Sequence, residues 1–273
     1  MLVREFGALE EYRSKYNYLS GLTRRGWAYE HLRRNPHFRQ CAYQYQSGFV
    51  TETHWEHRVY RLDTLAPQPE AERWGLILFP DPDHTALYAD LFWSELAYPN
   101  FIRVNVSPRL EGEIDEIYQI SAELCRVRQL TDWNGLEHVL VQGKGCAIQV
   151  RCTGLSLRSI DPVRMAFELT GPSTMEKQFR LIKQANRAYE PHDPDKPGWT
   201  IGSQNLRDGI IALDVIDAGL PLRAAAKIIY GSDRVEESWS SPGQHMKERL
   251  RKRLQRARQI RDGGYREYLQ KRL

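Results

Sequence analysis

The segment EPHDPDKPGWT, at residues 190–200, constrains the architecture of this chain more than any other stretch. It holds three prolines and a glycine, and proline cannot continue a helix or pair within a central strand. Such a composition is typical of a linker between structural units. Because the patterns on its two sides differ, we predict a helical N-terminal region at 1–59, an α+β body at 60–190 and a separate helical domain at 201–273.

The N-terminal region has the pattern of short helices. Trp27, Leu32 and Phe38 recur among arginines. Asn35-Pro36 interrupts this pattern, because a residue before proline disfavours the α conformation. We therefore predict two short helices that flank the break.

The body contains short runs rich in Val, Ile and Phe, which indicate strands. These runs are WGLILFP (74–80), FIRVNV (101–106), EHVLVQ (137–142), CAIQVRCTG (146–154) and VRMAFELTG (163–171). Gly143 and Gly145 favour a tight hairpin between two of them, because glycine adopts positive φ without strain. The predicted fold class is α+β, with a helical N-terminus, a small and mostly antiparallel sheet, and an all-α C-terminal domain that resembles a helix-turn-helix.

Helix signals fill the C-terminal domain. One helix is expected to begin with Ser203 as its N-cap and to end at Gly219, and the next opens at Pro221 and closes at Gly231. The stretch LRAAAKIIYGSDRVEESW has the pattern of a helix-turn-helix, with a turn that we expect to be one residue longer than usual. A long basic helix follows it.

The end of the chain is strongly basic. Residues 247–273 hold eleven Lys/Arg and three Asp/Glu, a net charge of +8 in a chain whose total is +4, so the remainder is at −4. A solvated helix would intersperse acids for i,i+4 pairing, yet none occurs between 249 and 261. This pattern favours a nucleic acid over an acidic protein or a merely solvated face.

The basic helix is expected to contact DNA more than the second helix of the motif does, because the latter carries Glu236 and Glu237. Steps of about 100° per residue place an apolar stripe around Leu250 and basic side chains on both of its flanks. Arginine forks also match phosphate and guanine. The candidate DNA-binding residues lie on this helix or beside the turn: Lys247, Arg249, Arg251, Lys252, Arg253, Arg256, Arg258, Arg234 and Ser232.

Motifs of catalysis are weak in this chain. The H-x-x-H pair in HWEH (54–57) has no clear third ligand nearby, and GKG lacks the rest of a phosphate-binding loop. We therefore expect no enzyme activity, catalytic residue, metal site or cofactor. The four cysteines form no C-x-x-C pair, which indicates free thiols in a reducing cytoplasm. We expect neither a transmembrane helix nor a secretory signal, and hence no membrane partner.

Several motifs resemble a known family. IIALDVIDAGLPLRAAAKIIYG, then V-x-x-x-W and LRKRLQRARQIRDGGYREYL, are similar to a proteobacterial domain, formerly of unknown function, that acts as a variant helix-turn-helix in transcriptional activators. GWAYEHLRRNPHFRQCAY resembles a regulator-like domain often fused ahead of it, and WGLILFPDPDHTALYADLFW and LEHVLVQG resemble its central part. The whole arrangement looks like the RovC type of hexameric activator linked to type VI secretion.

The resemblance implies a bacterial transcription activator that binds double-stranded promoter DNA as a homo-oligomer, a hexamer in the RovC type. RNA polymerase would be a further partner of such an activator. Two alternatives stay open from the residues themselves. One is a protein-binding antiactivator or adaptor whose basic helix docks an acidic regulator, and the other is a DNA-processing factor or nuclease.

Overall fold

A computed structural model gives the protein a helical N-terminus, a mixed central sheet and a helical C-terminal region, which confirms the predicted α+β fold class. The structure describes residues 9–45, 50–55, 59–113, 125–143, 146–169, 171–185, 198–239 and 245–270. Within these residues, no helix is both long enough and apolar enough to cross a membrane.

The N-terminal helices break at Asn35, as predicted. Helix α1 spans Arg24–Leu32 and α2 spans Pro36–Tyr45. The side-chain oxygen of Asn35 accepts hydrogen bonds of 3.0 and 3.1 Å from the first backbone N–H groups of α2, which caps that helix. A short helix, α3, follows at Pro69–Arg73.

The central sheet has seven strands in the order β1-β2-β4-β5-β6-β3-β7. The strands are β1 (Val50–Trp55), β2 (Val59–Thr64), β3 (Ile102–Pro108), β4 (Cys125–Thr131), β5 (Glu137–Gly143), β6 (Cys146–Gly154) and β7 (Val163–Phe167). The pairs β2–β4 and β3–β6 are parallel and the other four pairs are antiparallel. The sheet is thus mostly antiparallel, as predicted.

Individual strand predictions met different outcomes. The β5–β6 hairpin is confirmed by the pairing of Gly143 with Cys146, and its turn at 144–145 lies outside the described residues. The predicted strand at 74–80 is wrong, because only Leu76 forms an isolated bridge, to Trp93. Leu76, Leu78 and Phe79 are buried without joining the sheet. The sheet also includes β1, in a range where only helices were expected.

The C-terminal helices follow the sequence pattern closely. They are α4 (Pro172–Ala185), α5 (Ile201–Asp217), α6 (Leu222–Tyr230), α7 (Ser232–Ser238), α8 (His245–Gln259) and α9 (Tyr265–Gln270), with a π-helical turn at Ile260–Gly264 between the last two.

The ends of α5 and α6 show how local chemistry sets these boundaries. Thr200, rather than the expected Ser203, is the N-cap of α5, and the two side chains form a reciprocal capping box. Gly219 and Gly231 end α5 and α6 at φ values of +78° and +89°, which glycine adopts without strain. The expected long turn in the helix-turn-helix is wrong, since Gly231 alone separates α6 from α7.

One apolar core joins the N-terminal region to the C-terminal helices. Tyr16, Leu19 and Trp27 are buried in the same cluster as Ile210 of α5 and Leu250 of α8. The predicted domain boundaries stay a prediction; they divide the chain into 1–59, 60–190 and 201–273. Residues before and after the Pro-rich segment nevertheless share this core.

The end of the chain inserts into a second core. Tyr265 and Leu269 of α9 are buried together with Tyr29 of α1, and the Tyr265 hydroxyl donates a 2.9 Å hydrogen bond to the carbonyl of Trp74. Tyr265 and Leu269 therefore pack against the N-terminal region, because α9 turns away from α8 at Gly263, where φ is +143°.

Candidate nucleic-acid interface

Helices α6 and α7 bury apolar side chains of the predicted helix-turn-helix. Ala226 and Ile229 of α6 and Val235 of α7 are all buried in the core that holds α5 and α8. Trp239, at the end of α7, is partly buried against the same core. The pair therefore packs with an inward face, although α7 has only seven residues.

The predicted apolar stripe of α8 is confirmed. Leu250, Leu254 and Ala257 are buried and face α5. The two helices touch backbone to backbone at Gly209, where an added Cβ would lie 3.0 Å from the carbonyl oxygen of Arg253 and 3.2 Å from the Cβ of Ala257. This close approach fixes the orientation of α8, and with it the directions of its basic side chains.

Five basic side chains of α8 are exposed. They are Arg249, Arg251, Lys252, Arg256 and Arg258. In the part of the chain that the structure describes, none of the five forms an ion pair. We call this set the α8 basic surface. Its charge is therefore available to an external anion.

Arg253 differs from these five. One of its guanidinium nitrogens lies 2.6 Å from a carboxylate oxygen of Asp208 and donates a 2.8 Å hydrogen bond to the Tyr230 hydroxyl. Its side chain is only 18% exposed. Asp208 also receives Arg207 at 2.8 Å. Arg253 thus ties α8 to both α5 and α6.

The surroundings of Tyr230 show which flank of α8 meets the helix-turn-helix. Burial raises the pKa of the Tyr230 hydroxyl, and the positive charges of Arg253, Arg249 and Arg234 act in the opposite direction. These arginines come from α8 and α7, which both follow the turn at Gly231. The flank that carries Arg249 and Arg253 therefore continues onto α7 through Arg234, which is exposed.

The remaining candidate DNA-binding residues, Ser232 and Lys247, differ in burial and in what they contact. Ser232 is buried at the first residue of α7. The ammonium of Lys247 lies 5.9 Å from the centroid of the Trp239 ring, within cation–π range. On α7, Glu236 forms a 3.2 Å ion pair with Lys227 of α6. One of the two negative charges that α7 would bring close to DNA is therefore neutralised within the protein. The sequence pattern did not predict that pair.

A buried ionic network connects the interface to the N-terminal region. Arg34 binds Asp214 of α5 at 2.6 Å and Glu30 of α1 at 2.7 Å, and the Tyr16 hydroxyl donates a 2.9 Å hydrogen bond to Asp214. Burial acts to raise the pKa of Glu30, but the charges of Arg34 and Arg33 outweigh it and hold that pKa below its ordinary value. Sequence analysis missed this network, because no local pattern marks a pair 180 residues apart.

The described residues give little support for a metal site. Of the H-x-x-H pair, His54 lies in β1 and His57 falls outside those ranges. No group of three or more His, Cys, Asp or Glu among the described residues could hold a metal ion. Cys41 and Cys152 are buried free thiols, and burial raises the pKa of Cys152 to about 12, which keeps it protonated and unreactive.

Two protein families match parts of this chain. Residues 11–80 match the family described as "Proteobacterial transcriptional regulator-like domain", and residues 169–270 match "T6SS, Transcription factor, DNA binding domain". No curated protein matches the chain. Both matches are to parts of transcriptional regulators, and together they support a DNA-binding regulator.

The match at residues 169–270 is more specific than the general class of DNA-binding regulators. Its family is the RovC type of DNA-binding domain, from transcription factors of type VI secretion, and it spans α4 to α9. The resemblance predicted from the sequence is confirmed for these two parts of the chain. The α8 basic surface lies inside the matched DNA-binding part.

Proposed function

We propose that this protein is a sequence-specific DNA-binding transcriptional activator that works as a homo-oligomer. The α8 basic surface is the observation that carries this proposal. Five exposed cations without intramolecular partners in the described chain stand on one helix, beside a helix-turn-helix-like pair and within the match to a DNA-binding family. Holding like charges this close is unfavourable unless a polyanion neutralises them.

The spacing of these cations suits a duplex. Arg249 and Arg256 are seven residues apart, as are Arg251 and Arg258, so each pair repeats after about 10 Å along the helix. Guanidinium groups bind phosphate oxygens in a forked geometry and bind O6 and N7 of guanine in the same way. Contacts to phosphate would set affinity and register, and contacts to base edges would set sequence preference.

Two of the sequence candidates take a positioning role in this proposal. Arg253 is held by Asp208 and Tyr230, so it orients α8 against α5 and α6. Buried Ser232 starts α7 beside Gly231 and shapes the turn. Exposed Arg234 and half-buried Lys247 extend the basic surface onto the motif and join the five cations as DNA contacts.

Binding to DNA is tested with fluorescence anisotropy on two labelled duplexes. One duplex carries the region upstream of the protein's own gene, and the other carries the same base composition in shuffled order. A specific regulator binds its site about a thousandfold or more tighter than unrelated DNA at physiological salt. Equal, weak binding to both duplexes, together with capture of an acidic protein partner, would favour the adaptor function instead.

Activation is tested separately by transcription in vitro. Purified RNA polymerase, the upstream template and the protein are expected to give more transcript than polymerase alone. The variant Arg251→Ala/Arg258→Ala is expected to lose this increase. An unchanged or reduced transcript level with the wild-type chain would contradict the activator role, even if specific DNA binding holds.

A further inference from the structure

Strand β7 leaves one edge of the sheet open for pairing. It is the last strand in the sheet order, and its inner edge pairs with β3. The backbone N–H of Glu168 donates a 2.9 Å hydrogen bond to the carbonyl of Arg103 on β3. Because bonding directions alternate along an antiparallel strand, the backbone groups of Met165 and Phe167 point away from β3. No described strand pairs with this outer edge.

The same edge carries exposed apolar side chains. Val163, Met165, Phe167 and Leu169 share one face of the extended chain, because side chains alternate along a strand. Val163 and Met165 pack against the core beneath α4, whereas Phe167 and Leu169 are 39% and 45% exposed. An exposed apolar face beside an open edge favours association with another chain.

We propose that a second copy of this chain pairs with β7 in an antiparallel arrangement, with the two-fold axis at Ala166. The charge pattern selects this register. Arg164 and Glu168 flank Ala166 symmetrically, so Arg164 of each copy faces the partner's Glu168. Two-fold axes at Met165 or Phe167 would leave each of these charges without an opposite charge across the axis.

The apolar face is complementary in the same register. Met165 faces the partner's Phe167 and Val163 faces the partner's Leu169, so the exposed apolar side chains cover one another. The outward backbone groups of Met165 and Phe167 form ladder hydrogen bonds across the axis. The same surface patch serves both copies, as a two-fold interface requires, and the two sheets become one continuous sheet.

The existing intramolecular contacts allow this arrangement. Arg164 lies 2.6 Å from Glu113, with both side chains partly exposed, and Glu168 accepts a long 3.5 Å hydrogen bond from Thr153. Exposed ion pairs of this kind contribute little and exchange readily. The inference specifies the oligomer surface of the proposed function and therefore rests on it, but its tests use the protein without DNA.

A cysteine at the axis gives the first test. In Ala166→Cys the two thiols meet at a non-hydrogen-bonded pair about 4.5 Å apart between Cα atoms, which a disulfide can span. Mild oxidation of the full chain is expected to give a disulfide-linked dimer much faster than the control Ile160→Cys, whose side chain is fully exposed but lies outside β7. Equal cross-linking rates in the two variants would overturn the proposed axis.

A charge exchange gives the second test, read by sedimentation equilibrium. Arg164→Glu and Glu168→Arg each place like charges opposite one another twice, and each is expected to weaken self-association by about tenfold. The double variant Arg164→Glu/Glu168→Arg restores both pairs and is expected to associate like the wild type. If the double variant is as weak as the single ones, or if none differs from wild type, the proposed interface is wrong.

The two proposals fail in distinguishable ways. A chain that associates through β7 yet binds no specific DNA would contradict the proposed function and leave the interface standing. A chain that binds its promoter while Ala166→Cys and the charge variants behave as controls would contradict the interface alone.

Discussion

The guanidinium of Arg253 lies 2.6 Å from the carboxylate of Asp208, and this ion pair anchors the basic helix α8 to α5 beneath it. Asp208 is almost fully buried and also pairs with Arg207. One arginine of a continuous basic run therefore supports the helix while its neighbours stay available to an external anion. Within the basic run, Arg253 therefore has a structural role, and the five exposed cations of the α8 basic surface are the residues proposed to bind.

Removing the buried charge is expected to destabilise the C-terminal helices strongly. Asp208→Asn leaves Arg207 and Arg253 without their counter-ion, and breaking a buried ion pair in this way costs about 3 kcal/mol. Urea unfolding followed by circular dichroism measures the change. A loss below about 1 kcal/mol would contradict a structural role for this pair.

The matched control is the exposed ion pair in the same region. Glu236→Gln removes the partner of Lys227, whose contact is 3.2 Å long and exposed to solvent. Pairs of this type contribute about 0.2–1 kcal/mol, so the unfolding midpoint should barely change.

Two glycines of α5 are expected to respond in opposite directions to alanine. At Gly209 the new Cβ would meet the backbone of Arg253 at 3.0 Å, so α8 must move away and the protein loses about 1–3 kcal/mol of stability. At Gly202 the nearest atom is the Thr200 hydroxyl oxygen at 3.7 Å, and alanine should stabilise the helix by about 0.5 kcal/mol. Thermal unfolding of both variants decides the matter, and stabilisation by Gly209→Ala would refute the close packing of α5 against α8.

The buried His31 should make the protein sensitive to mild acid. Its Nδ1 donates a 2.8 Å hydrogen bond to the Trp27 carbonyl, and burial lowers its pKa to about 4. The unfolded chain binds a proton near pH 6.5 while the folded chain stays neutral, so stability is lost as the pH falls from about 6.5 towards 4. We expect a loss of about 2 kcal/mol between pH 7 and pH 5.

The variant His31→Gln isolates this effect, because it keeps a polar side chain and removes the titration. Its stability should be nearly flat between pH 7 and pH 5. Because the pKa of Glu30 is lowered, its ion pairs stabilise the fold at pH values above the ordinary pKa of glutamate. This contribution is lost only as the pH falls through the lowered pKa. A His31→Gln variant that keeps the full pH dependence would show that another group is responsible.

Local patterns were sufficient to predict the C-terminal helices and the inward face of α8. Proline, glycine and a 3.6-residue period act within a few residues, and Gly219 and Gly231 end their helices for the reason that the sequence suggests. The stripe of Leu250, Leu254 and Ala257 is buried as its spacing requires.

The roles of individual cations could not be predicted in the same way. Arg253 lies only about 60° from the centre of the apolar stripe, which hints at a partly buried position. Its partner Asp208, however, comes from another helix, and no local rule connects the two. Arg34 and Asp214 are the more extreme case, since they join regions on opposite sides of a Pro-rich segment that suggested independence.

The apolar run at 74–80 illustrates a further limit. Its composition fits a strand, but the composition of a buried run is the same whether or not its backbone joins a sheet. Here Leu76 and Leu78 are buried, and among the described residues their strand pairing is limited to the single bridge from Leu76 to Trp93.

The most direct measurement of the central claim is the salt dependence of DNA binding. If the five cations of the α8 basic surface contact phosphates together with Arg234 and Lys247, the slope of log K against log salt is about −6 for each protomer. Arg251→Ala/Arg258→Ala removes two of them, so its slope should be shallower by about 2. The control Arg73→Ala/Arg109→Ala changes two exposed arginines outside α8 and should keep the wild-type slope. An unchanged slope in Arg251→Ala/Arg258→Ala, with the fold intact, would contradict the assignment of α8 as the DNA-binding surface.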